Sequence, residues 1–219
     1  MDVTKICKDL NELNPLVRVM LELSLAEIRS QGVNPLVVET YRPQERQNYL
    51  YCHHRTVAQC VAAGISKPFA EKYCDLNAIK ETSTLHSIHT EHKAVDVVPQ
   101  RLVNKKMKAI WNVKDPQTQI IINTMVKYGF EAGVNWSTFQ DSPHFQVKGD
   151  FKDLFLFGHA TPYVTMAIQI ALNRKTGAGL TTDGAWGDKT TDAVNKFRQA
   201  NKWSTNGKLG ATALKTLLS

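Results

Sequence analysis

Ser87-Ile88-His89-Thr90-Glu91-His92-Lys93-Ala94-Val95-Asp96 is a polar, histidine-rich stretch running into an apolar one, Ala94 to Val98, closed by Pro99. It reads as a loop entering a strand. Imidazole and carboxylate are both good zinc ligands, and a catalytic zinc takes three protein ligands plus water. The seven-residue step from His89 to Asp96 does not fit one helix turn. It suits a loop histidine and a strand aspartate converging on one ion. A third ligand has to come from elsewhere, and Asp141-Ser142-Pro143-His144-Phe145 offers a histidine with a carboxylate three residues before it. Hydrolysis at such an ion also needs a carboxylate that is not a ligand and takes a proton from water, and Asp141 is placed for that role. His86, His89 and His92, at three-residue steps, form a competing trio that would align only on a helix. His53, His54 and His159 read as solvated histidines.

Working outward, Leu16 to Ile28 has helical spacing of Leu16, Met20, Leu23 and Leu25, stopped by Gly32 and Asn34-Pro35. Leu36-Val37-Val38 is a short strand. Pro43 opens a helix expected to run from Glu45 through Val61, and a further helical piece covers Pro68 to Cys74. Asp115-Pro116 begins another helix, through Ile120-Ile121-Ile122 to Lys127. Gly133 to Ser142 is a loop, and His144 to Val147 a final strand. Helices and short strands mixed in this way, without βαβ repetition, give an α+β fold with a small antiparallel sheet and flanking helices. Phe151 to Thr161 reads as a connection. From Pro162 three helices follow, at about 162–175, 187–200 and 210–218, an all-α module. The expected organisation is therefore a catalytic domain over 1–155 and a second domain over 162–219.

Composition narrows the partners. The 219 residues carry a net charge of +7, and the region after Thr161 holds eight basic residues against three acidic ones. That favours anionic partners. No Lys/Arg run or basic stretch interleaved with aromatics suggests a nucleic-acid arm. No segment reaches the ~18 apolar residues of a membrane helix. Met1 to Leu10 lacks an apolar core, so it does not read as a secretory signal. Cys7, Cys52, Cys60 and Cys74 form no CxxC pair and read as reduced thiols.

Ser87, His89, Ala94 and Asp96, followed by Asp141 and His144, closely resemble the S-x-H-x-x-G-x-A-x-D and [DE]-x-x-H motifs of the LAS superfamily of peptidoglycan metallopeptidases. Gly129-Phe130-Glu131-Ala132-Gly133-Val134-Asn135-Trp136 and the Asp-x-Pro-His-Phe ending look like its L-alanyl-D-glutamate endopeptidase branch. The resemblance implies a Hedgehog/DD-peptidase-like fold and one zinc per chain on His89, Asp96 and His144, with Asp141 as general base. It also implies that Arg42, in Glu39-Thr40-Tyr41-Arg42-Pro43-Gln44-Glu45-Arg46-Gln47, steadies the oxyanion. Gln47 and Ser87 would contact substrate or orient a ligand, and Arg46 would be an ordinary surface pair. The family glycine is His92 here, which implies a strained φ or a locally different loop.

Asp183-Gly184-Ala185-Trp186-Gly187 through Phe197, with Gly207 to Thr212, resembles the three-helix peptidoglycan-binding domain. Asp183 and Trp186 would then border a glycan or stem-peptide groove. Together the resemblances imply a phage endolysin, made in the host bacterial cytoplasm without a signal peptide and released at lysis to act on the cell wall. A monomer is expected, since two modules suffice for binding and cutting. A D-alanyl-D-alanine carboxypeptidase or dipeptidase on the same scaffold, and a non-catalytic wall-binding protein, are the alternatives.

Overall fold

The computed structural model describes residues 2–137, 140–147 and 162–218. The expected connection 151–161, the boundary at 155 and His159 lie outside them.

Helix α1, Pro15–Ser30, starts where Asn14 accepts the Leu16 N–H (3.0 Å) and proline occupies the first turn. Its buried stripe is Val17, Met20, Leu21, Ser24, Leu25 and Ile28, while Leu23 lies at the margin. That stripe packs with Ile121, Ile122 and Met125 of α5 (Pro116–Lys127) and with Val95, Val97 and Phe145 of the sheet. Each such side chain contributes about 1.5–3 kcal/mol on burial.

The sheet is antiparallel and α+β in setting. Strands β1 (Pro35–Glu39), β2 (Ala94–Val103), β5 (His144–Gln146) and β4 (Glu131–Ala132) lie side by side in that order, and β3 (Lys106–Ala109) pairs the far half of β2. Two features of β2 differ from the sequence reading. The strand runs through Pro99 instead of ending there. Pro99 stands opposite Pro35, where β2 leaves β1, so no ladder N–H is needed, and its carbonyl accepts from Ile110 (2.8 Å). The strand then turns into β3 through Asn104 and Lys105, both at positive φ (51° and 63°), a two-residue hairpin made without the usual glycine.

The single helix expected over 45–61 is two. Helix α2 spans Gln44–Cys52 and α3 spans Val57–Ala62, followed by α4 at Lys67–Tyr73. Between the first two, His53 is extended and His54 left-handed (φ 58°), with the His54 N–H donating to Asp75 (2.8 Å). Thr56 and Gln59 close a capping box that starts α3 afresh. Helix α5, Pro116–Lys127, is capped by Asp115.

The C-terminal helices are α6 (Pro162–Thr176), α7 (Asp188–Ala200) and α8 (Ala211–Leu218). Ile168, Leu172, Val194, Phe197, Leu214 and Leu217 are buried among them. The buried Gln169 donates to Asp183 (3.0 Å) and to the Ala185 carbonyl (2.9 Å) and accepts from the Gly184 N–H (2.9 Å). Gly184 is required there: its φ is +75°, and a Cβ would come within 2.4 Å of the Pro162 carbonyl oxygen.

Candidate metal centre

Sheet register assembles the site. Asp96 of β2 pairs His144 of β5, and on its other side faces Glu39 of β1. A 3-10 turn at Ile88–Glu91 brings in His89, and the Ser87 hydroxyl caps that turn by accepting the His89 N–H (3.3 Å). His92 ends the turn in the left-handed region (φ 61°), at the position where the motif it resembles has glycine. Its ring stacks on Tyr41 at 4.0 Å and its Nδ1 meets the Glu12 carbonyl, so it faces away from the three donors.

His89 Nε2 lies 3.2 Å from Asp96 Oδ1 and 3.1 Å from His144 Nδ1, and His144 Nδ1 lies 3.3 Å from Asp96 Oδ1. The opposite ring nitrogens are already engaged. His89 Nδ1 is 2.5 Å from the Thr40 carbonyl, and His144 Nε2 is 3.1 Å from Gln146 Oε1. Gln146 in turn donates to Glu131 (2.8 Å), which also accepts from the Trp136 indole (2.9 Å). Carbonyl oxygens can only accept, so each ring carries its proton on the outer nitrogen and turns a lone pair inward. Two imidazole lone pairs and a carboxylate oxygen then point at one spot. Such a set holds together only around positive charge, and its chemistry fits a zinc ion with one position open.

Arg42 borders this cluster. Its guanidinium bonds Glu39 through Nε (3.0 Å) and a terminal nitrogen, donates to Gln47 Oε1 (2.8 Å), and lies 3.8 Å from Asp96 Oδ2. Gln47 is fully buried and hands its amide protons to Thr82 (3.2 Å) and the Thr84 carbonyl (2.7 Å). Arg46 is not the surface pair expected. It is buried against Glu39 (2.7 Å), and its other donors satisfy the carbonyls of Val3 and Thr4 at 3.1 Å. The reason is that the N-terminal segment folds over α2.

Asp141 lines the same cleft, of about 580 Å³, with Arg42, Thr84, Trp111 and Trp136. Its N–H donates to Gly133 (3.1 Å), and its carbonyl accepts from His144 (3.4 Å). Burial and then the Asp96 charge push the Asp141 carboxyl above the ordinary aspartate value, against a smaller pull from His144, His89 and Arg42. Burial also works against ionised Asp96, but His89 and His144 outweigh it and hold Asp96 well below the carboxylate range. For His144, burial pulls downward and the Asp96 and Gln146 contacts prevail, leaving it raised.

The structure thus brings His89, Asp96, His144, Asp141, Arg42 and Ser87 around one cleft, while the fully buried Gln47 does not line it and reaches the site through Arg42. His86 also lines the cleft, away from the donor cluster. Asp183 and Trp186 lie in the C-terminal module. The Asp183 carboxylate accepts from the Ala185 N–H (2.9 Å), and the half-buried Trp186 donates to Thr191 (3.1 Å). Sequence reasoning gave no role to Glu39, Gln146, Glu131, Trp111 or Trp136. Glu39, Glu131 and Trp136 stood inside the quoted motifs without a role of their own, and Gln146, two residues along a strand from His144, shares its face.

Residues 80–147 match the peptidase M15 family described as D-alanyl-D-alanine carboxypeptidase. The match holds all three metal-facing donors and Asp141, so the centre lies within a peptidase-type segment; Glu39, Arg42 and Gln47 precede it. Among solved structures, the chain is similar to the Serratia marcescens L-Ala D-Glu endopeptidase ChiX, at 24% identity over 69% of this chain and 86% of that one, with a TM-score of 0.35. No curated protein matches the chain.

Proposed function

We propose that the chain is a zinc-dependent peptidoglycan endopeptidase cutting the L-alanyl–D-glutamate bond of stem peptides. The observation that carries this reading is the convergence of three inward-facing donors beside a fixed guanidinium and a carboxylate of raised proton affinity. His89, Asp96 and His144 would hold the zinc ion, whose positive charge would polarise a carbonyl and acidify water. Asp141 takes the proton of the attacking water and returns it to the leaving amine. Arg42, locked by Glu39 and Gln47, donates to the developing oxyanion, a contribution of about 3 kcal/mol for a preorganised donor. Trp111 and Trp136 give the cleft apolar walls against which a peptide can lie.

The bond assignment rests on the Gly129–Trp136 and Asp141–Phe145 segments. The C-terminal helices, over 162–219, serve as a wall-binding module. Their basic excess suits anionic wall polymers, and the whole reads as a monomeric endolysin acting on bacterial cell walls. The description of the matching family favours a second reading, a D-alanyl-D-alanine carboxypeptidase. Digestion of purified walls separates them: new N-terminal D-glutamate is expected, and release of D-alanine alone would sustain the second reading. Asp141→Ala should keep its zinc and lose hydrolysis. If it keeps both zinc and activity, the proton-transfer role is wrong.

A further inference from the structure

Cys52, Cys60 and Cys74 are spaced by eight and fourteen residues, a pattern with no metal signature. Folding of α2, α3 and α4 nevertheless brings their three sulfurs within 4.8 Å of one another, with Cys60 and Cys74 Sγ at 3.3 Å. All three are free thiols. Sulfurs around a tetrahedral zinc stand about 3.8 Å apart, given Zn–S bonds of ~2.3 Å, so this spacing is that of a thiolate site. A disulfide would use two of these sulfurs and leave the third without purpose.

The setting gives such an ion a task. The α2–α4 segment has its own small core, in which Cys52, Cys60, Ile65 and Ala70 are the fully buried side chains. Two of the four are cysteines. Cores this small ordinarily need a staple.

We propose that Cys52, Cys60 and Cys74 form a second metal site, taking zinc or another soft divalent cation through three thiolates. The thiols release their protons on binding. Water completes the coordination, since Cys74, unlike the other two, is partly open to solvent. The ion ties together the ends of α2 and α4 and the middle of α3. Because α2 also carries Gln47, the staple steadies the wall of the cleft that Gln47 fastens to Thr82 and Thr84. This site is independent of the peptidase reading, and it would add a second ion to the one expected from sequence.

The test uses reduced, metal-stripped full-length protein titrated with cobalt(II). Two ions per chain are expected, one of them producing sulfur-to-cobalt charge-transfer absorption in the near ultraviolet. His144→Ala should lose one ion and keep that absorption. The triple variant Cys52→Ser, Cys60→Ser, Cys74→Ser should lose the absorption and keep the other ion. Should the triple variant fail to fold, wild type and His144→Ala alone decide the matter. Absence of charge-transfer absorption in folded wild-type protein overturns the site. So does a Cys60–Cys74 disulfide in protein that binds no metal through sulfur.

Discussion

Glu39 stands opposite Asp96 across the β1–β2 ladder, out of step with the register that pairs Val37 with Val97. Val38 is the extra residue, a bulge that turns the Glu39 carboxylate toward the metal centre. There it accepts from both Arg42 and Arg46, one carboxylate oxygen to each guanidinium.

All three side chains of that triad are about nine-tenths buried, and this sets the scale of the first prediction. Removing one member of a buried ionic group costs about 3–5 kcal/mol, because charge is left unpaired. An exposed pair would cost no more than ~1 kcal/mol. Glu39→Ala should therefore lose several kcal/mol in denaturant unfolding and release Arg42 from its place. A loss below ~1 kcal/mol would mean that the guanidiniums find other partners and that Glu39 is not the clamp.

Gln146 is the outer partner of His144, and it would act on a metal bound there without touching it. Losing such a partner typically weakens metal binding 10–100-fold. Gln146→Ala should show that loss in zinc competition against a chromophoric chelator, with the fold intact by circular dichroism. Unchanged affinity would show that His144 is oriented by its strand alone. In wild type, chelation should abolish hydrolysis and added zinc should restore it.

Much of this was legible in the chain before its fold. The helices at 15–30, 116–127 and in the C-terminal third follow from apolar spacing and from proline or Asx caps, which are local signals. The candidate donors were legible from the seven-residue step between His89 and Asp96, from His144 three residues after Asp141, and from the motifs these residues resemble. What escaped depends on contacts distant in sequence. The break at His53–Thr56 is fixed by a hydrogen bond to Asp75, and β2 passes through Pro99 because Pro35 faces it. Arg46 looked exposed because nothing local shows that residues 3 and 4 cover it. The cysteine cluster needs three helices to close.

Gly133 offers a test of how tightly the cleft is built. Its φ is ordinary, so no left-handed requirement explains the glycine. A Cβ there would come within 2.7 Å of the Asp141 carbonyl oxygen and 3.2 Å of the Asp141 and His144 Cβ atoms. The closest of these is backbone, which cannot swing aside. Gly133→Ala should thus displace the Asp141–His144 turn, costing about 1–3 kcal/mol as overpacking and reducing kcat more than substrate binding. A variant with full stability and turnover would mean that this turn moves freely.

Asp141 connects function to stability with a definite sign. Its carboxyl is raised above the ordinary value of 3.8 by burial and by Asp96. Below that ordinary value the group is protonated in folded and unfolded chains alike and has no effect on their balance. As pH rises through the raised value, the folded protein must ionise a group that its surroundings resist, and stability falls. Asparagine removes this penalty while keeping the shape. Metal-free Asp141→Asn should therefore be more stable than metal-free wild type at neutral pH, with the gap closing as pH drops below the ordinary aspartate value. The same substitution should abolish hydrolysis in the zinc-loaded protein, since the amide takes no proton. Hydrolysis by wild type should fall on acidification while zinc is still bound, as Asp141 becomes protonated. Thermal unfolding across pH, with zinc content measured at each point, checks both halves. Equal stability of the two proteins at neutral pH would show that Asp141 is not held against its surroundings.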